Sequence, residues 1–163
     1  VPYKGVVLTR AGEKIALEVI RHHRLIELFL VERLGYRWDE VHEEAERLEH
    51  AVSERFIERI SAALGYPESD PHGSPIPTRD GFIPDRTETC LAGMLAGQTG
   101  RVSRVDDDDS ELLRYLAELG SSPGVEIQVV ELTPFGGPIH LLAGKVPLQI
   151  GPLAAEHVFV AAG

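Results

Sequence analysis

In the run WDEVHEEAERLEHAVS (residues 38–53) two patterns interleave, and both belong to a helix. Val41, Ala45, Leu48 and Val52 recur at spacings of four, three and four, which makes a narrow apolar stripe for packing. At about 100° per residue, His42, Glu46 and Glu49 fall close together on the adjoining face, and His50 widens the arc to roughly 100°. Asp39 reads as the N-cap, and Glu40, Glu43 and Glu44 favour the positive end of the dipole, so the expected helix covers 40–52. Burial and ligation are thereby assigned to separate surfaces of one element.

A longer helix is expected upstream. Thr9 suits an N-cap, Ile15, Val19, Ile20, Ile26, Leu30 and Leu34 repeat at helical spacing, and Gly35 supplies the stop, which gives 10–34. His23 and Glu27 sit one turn apart on it, where two side chains reach a common ion. Downstream, Ser53 caps a third helix carrying Phe56, Ile57, Ile60 and Leu64 before Gly65. Imidazole and carboxylate donors without thiolate suit borderline to hard divalent ions, Mn²⁺ or Fe²⁺, with zinc and cobalt also admissible.

Residues 66–89 contain five prolines and two glycines, so they read as a connector rather than a regular element. Short β-type runs follow at 101–105, 124–132, 138–142, 146–150 and 157–161, with one helical stretch at 111–119. The fold class is therefore α+β: a helical region over 9–65 and a small, partly open barrel over 90–163. Residues 1–8 alternate weakly and read as the end of a strand.

The 163 residues carry a net charge of −10 and a pI near 5.1, which argues against this stretch itself gripping a nucleic-acid backbone. The single cysteine, Cys90, excludes an internal disulfide framework and a thiolate-rich zinc site, and fits the cytoplasm. No apolar run is long enough to span a bilayer. An enzyme of the helical di-metal class is the competing reading, but it relies on paired Glu-x-x-His motifs, and none of the seven histidines has glutamate three residues before it. His22 reads as a surface residue, and His72, His140 and His157 have no partner pattern. Trp38 reads as a packing anchor, Gly136 and Gly137 as a hairpin turn, and Cys90 as a small buried residue.

RHHRLIELFL, then WDEVHEEAERLEHAVSE, then DPHGSPIP, in that order, resemble the metal-binding and dimerisation region of the diphtheria toxin repressor family of iron- and manganese-dependent regulators. The resemblance implies a homodimeric, metal-activated repressor and no catalytic residues. Operator DNA would be bound by a winged helix-turn-helix unit preceding Val1, of which residues 1–8 would be the last wing strand. It implies a primary metal site of Glu46, Glu49 and His50 completed by an N-terminal ligand. It also implies an ancillary site of His23, Glu27 and His42, with C-terminal donors near Asp107 and Ser110 and an anion held beside it by Arg24. The C-terminal part resembles the SH3-like domain of the family, akin to ferrous-transport accessory domains. Iron-dependent members carry cysteine at the position of Glu46, so a carboxylate there shifts preference toward Mn²⁺. Asp70 and Ser74 stand where the family pattern has serine and asparagine, which sets the anion in question.

Overall fold

The computed structural model describes residues 7–162. The strand expected at 1–8 falls on residues 1–6, outside the described ones, and Val7 and Leu8 carry no regular structure.

Helix α1 (Arg10–Leu34) begins where the Thr9 hydroxyl accepts a hydrogen bond from Gly12 N at 3.2 Å, and ends at Gly35, whose φ of +74° only glycine adopts cheaply. Helix α2 (Val41–Glu49) is shorter than expected. Asp39 is not its cap: its buried carboxylate lies 3.0 Å from Arg37 Nε and 3.6 Å from Arg114 Nη1, so its oxygens face arginines instead of the helix amides. Residues 50–52 leave the helix as a turn. Helix α3 (Glu54–Ala63) has Ser53 as its cap, the hydroxyl accepting from Phe56 N at 3.3 Å.

These three helices share one core of Leu25, Ile26, Leu30, Val41, Ala45, Ile57 and Ile60, which Ile76 of the connector closes. Burying a leucine or isoleucine contributes about 1.5–3 kcal/mol each, so this stripe, and not intrinsic propensity, holds the nine-residue α2 in place.

The C-terminal part is a six-stranded antiparallel sheet of order β1-β6-β2-β3-β4-β5. Its strands are β1 (Glu88–Cys90), β2 (Thr99–Val105), β3 (Glu126–Leu132), β4 (Ile139–Ala143), β5 (Val146–Ile150) and β6 (Val158–Ala162). Helix α4 (Ser110–Glu118) and the single turn α5 (Pro152–Ala155) complete it. The sequence reading had five strands; the sixth is β1, only three residues long and adjoining the proline-rich connector. Gly136 and Gly137 lie in the β3–β4 turn, as expected. Cys90 is half-buried, its Sγ facing the carbonyls of Ala155 and Glu156. The barrel core is Leu91, Val102, Val105, Leu113, Leu116, Ile127, Val129, Leu141, Ile150, Val158 and Val160.

The connector fixes the barrel against the helices. Val105 N donates to the His72 carbonyl at 2.9 Å. Gly73, at φ +87°, passes so near β2 that an added Cβ would meet Ser103 O at 2.0 Å. Trp38, from the α1–α2 turn, packs on the barrel core and stacks on His72. Its expected anchoring role thus joins the two parts of the chain.

Candidate metal centre

Helices α1 and α2 cross so that His23, Glu27 and His42 meet. His23 Nε2 is 3.1 Å from Glu27 Oε1 and 3.2 Å from His42 Nδ1, and His42 Nδ1 is 3.5 Å from Glu27 Oε1. Neighbouring ligands on an ion with bonds of about 2.1 Å stand at such separations, so these donors fit a divalent metal. Glu27 is fully buried, and a buried carboxylate without a counter-charge is costly.

The electrostatics follow from that burial. Burial alone would raise Glu27, but hydrogen bonds and charge from His23 and His42 hold it at about 2. For His23 burial disfavours the charged ring, yet Glu27 and then Glu49 outweigh it and raise the pKa to about 9. His42 is also raised, chiefly by its hydrogen bond to Glu27. The positive charge that Glu27 favours on His23 and His42 is the charge a dication would supply in their place.

Of the second expected set, Glu49 and Glu46 line the same cavity of about 320 Å³ as His23, Arg24, His42 and Asp107. Glu49 Oε2 accepts from His23 Nδ1 at 2.7 Å, and its Oε1 lies 3.2 Å from His50 Nε2. His50, beyond the last turn of α2, is exposed. Glu46, Glu49 and His50 are not among the described groups whose donor atoms converge on one point.

Asp107 projects from the β2–α4 loop into the centre, its Oδ2 3.6 Å from His72 Nδ1. Ser110 opens α4 and lines a neighbouring cavity of about 370 Å³ with His42, Asp107 and Arg114. Arg24 faces an internal carboxylate: its Nε is 3.5 Å from Asp70 Oδ2, and its Nη1 donates to the Pro75 carbonyl. Burial, and then the charge of Glu27, raise Asp70 above the usual carboxylate range.

Two histidines differ from the sequence reading. His72 is fully buried beside Glu27 and Asp107, a partnership set by chain reversal across more than thirty residues and thus invisible to local spacing. Its position in the matched loop DPHGSPIP was the available signal. His22 is buried, not on the surface, because α3 covers its side of α1 and brings Glu54 to its ring. A cavity of about 610 Å³ lies on the barrel along Thr99, Arg101 and Gln128, away from this centre.

Family models match two parts of the chain: the iron-dependent repressor metal-binding and dimerisation domain over residues 9–78, and the FeoA domain over 89–162. A solved structure of a manganese-dependent transcriptional repressor shares 45% identity at a TM-score of 0.90, over 97% of this chain and 87% of that one. The chain belongs to the diphtheria toxin repressor family. A second family structure, a manganese-dependent transcriptional repressor in complex with manganese, shares 43% identity at a TM-score of 0.94, over 99% of this chain and 77% of that one. The iron-dependent repressor IdeR of Mycobacterium tuberculosis is 32% identical over 149 residues, 84% of this chain. The chain spans 64% of the length of that curated relative. The fold the family carries, a helical metal-binding and dimerisation region followed by a small SH3-like FeoA sheet, is the one found here. No described helix is long and apolar enough to cross a membrane.

Proposed function

We propose that this chain is the metal-sensing and dimerisation part of a cytoplasmic, homodimeric transcriptional repressor that responds to Mn²⁺ and controls metal homeostasis. The observation that carries this is the meeting of His23, Glu27 and His42 around a fully buried carboxylate. His23, Glu27 and His42 hold the ancillary ion, with Asp107 entering from the barrel side. Glu46, Glu49 and His50 supply a primary ion that a donor from a preceding DNA-binding unit completes. Ser110 borders the ancillary site, and Arg24 spends its charge on Asp70 rather than on a free anion.

Mn²⁺ is favoured over Fe²⁺ because every donor is a carboxylate or an imidazole, with Glu46 the deciding one. Higher identity to manganese-dependent structures than to iron-dependent IdeR supports the same choice. Iron-responsive repression is the second reading, favoured by the retention of His42. The chain is not an enzyme: its relatives are transcriptional repressors.

Linkage supplies the mechanism. A primary ion that draws one ligand from the DNA-binding unit and three from α2 and its end stabilises the arrangement in which they converge. If that arrangement spaces the two recognition helices for the operator, metal raises operator affinity. Operator binding by the intact protein in saturating Mn²⁺ and in chelator tests this; equal affinity in the two conditions overturns it.

A further inference from the structure

About 100° round α1 from His23, α3 closes over a different set of donors. Glu18 and His22 are one turn apart on α1, at the i, i+4 spacing that lets two side chains reach one ion. Glu54, the first residue of α3, comes to the same point, and one donor atom of each of the three lies within 4.8 Å of the others. His22 is only 9% exposed, and its Nε2 is buried without a hydrogen-bond partner. Glu54 Oε1 lies against that nitrogen, but not in the geometry of a hydrogen bond. Natural interiors rarely leave such an atom unsatisfied.

The local charges show what would satisfy it. Two carboxylates face one imidazole, and Nε2 of a protonated ring offers a single hydrogen, enough for one of them. Arginine does not supply the balance: Arg21 is held by Glu58 at 3.3 Å and by the Pro77 carbonyl at 3.1 Å. Lys14 and Arg79 border the adjoining cavity of about 180 Å³, and among the described residues neither forms an ion pair with Glu18 or Glu54. A dication between two carboxylates and a neutral imidazole leaves no net charge and takes the lone pair of Nε2. Ligands at about 2.1 Å from one ion stand at most about 4.2 Å apart. Glu18 and Glu54 are exposed, so rotation of their side chains closes the remaining gap.

We propose that Glu18, His22 and Glu54 form a Zn²⁺ site between α1 and α3, separate from both sites of the proposed function. His22 Nε2 is the buried ligand, the two carboxylates are the outer ones, and water fills the position that faces solvent. Three protein ligands with an open position suit zinc, and the affinity order of divalent ions places zinc above manganese at such a set. Because Glu18 and His22 belong to α1 and Glu54 opens α3, the ion ties the two helices together where α3 begins.

The test is anomalous scattering at the zinc edge from crystals of this chain grown with Zn²⁺, together with Zn²⁺ and Mn²⁺ stoichiometry by equilibrium dialysis for the wild type, Glu18→Gln and His22→Gln. Glu18 is exposed, so its variant keeps the fold even where the buried His22→Gln loses stability. A zinc peak bounded by Glu18, His22 and Glu54 is expected, with one zinc equivalent per chain lost in each variant and Mn²⁺ uptake equal to that of the wild type. No peak there, or full zinc stoichiometry in Glu18→Gln, overturns the proposal and leaves the proposed function standing. Loss of Mn²⁺ along with zinc in Glu18→Gln traces the effect to the His23 centre and overturns it as well. A wild-type chain that takes up no Mn²⁺ yet loses one zinc in both variants upholds this site and removes the proposed function.

Discussion

Glu49 Oε2 accepts a hydrogen bond from His23 Nδ1 at 2.7 Å, so a residue proposed for the primary metal site holds one proposed for the ancillary site. With Nδ1–H fixed toward Glu49, His23 presents Nε2 to Glu27 and His42. The other oxygen of Glu49 remains near His50. The two proposed sites are thus joined through a single carboxylate on α2.

Replacing Glu49 with glutamine therefore weakens Mn²⁺ binding at the His23 site by about 10–100-fold, although Glu49 is not a ligand there. Calorimetric titration that resolves the binding steps checks this. Loss confined to the Glu46 site would show that the His23 contact is incidental.

Stability without metal depends on pH in a direction the cluster fixes. His23 rises from 6.5 to about 9 on folding, so its stabilisation is complete below pH 6.5 and disappears as pH climbs through 9. Glu27 falls from 4.5 to about 2, so its contribution is present above pH 4.5 and fades as pH drops toward 2. In chelator, the melting midpoint is expected to fall between pH 6.5 and 9. A Glu27→Gln variant, lacking the principal partner of His23, should show a flatter profile there. Bound Mn²⁺ displaces the His23 proton, so adding the metal removes this alkaline loss.

Much of the fold was legible from residues whose signals are local. Thr9, Ser53 and Gly35 marked helix ends because caps act within a few residues, and the β-type runs fell within two residues of β2 to β6 because glycine and proline turns bracket them. Asp39 misled because Arg114, from a distant helix, helps hold the carboxylate a cap would use. His23, Glu27 and His42 could be named from helical spacing and family pattern together. Asp70 and His72 could not be placed with them, since nothing near them in sequence shows that the connector folds back beneath Glu27.

That fold-back rests on Gly73. Gly73→Ala would adopt a disfavoured φ and drive a methyl into the Ser103 carbonyl, separating connector from barrel. A loss of about 1–3 kcal/mol is expected from urea unfolding, together with weaker Mn²⁺ uptake because Asp107, on the barrel side, moves away from His23 and His42. A stable variant with unaltered uptake would mean that this contact does not position the centre.

Selectivity offers a separate check at Glu46. A thiolate in place of this carboxylate softens the donor set, so Glu46→Cys should discriminate less well for Mn²⁺ over Fe²⁺. Competitive titration of the two metals under anaerobic conditions measures the ratio. An unchanged ratio would remove Glu46 from the primary site.

Glu27 tests the account most directly, because it is fully buried and lies against every histidine of the centre. Calorimetric titration of Mn²⁺ into the wild-type chain and into Glu27→Gln compares a buried carboxylate with a neutral residue of the same shape. The account predicts that the variant stays folded and loses affinity by about tenfold or more at the His23 site. Equal Mn²⁺ affinity and stoichiometry in the two proteins would contradict it.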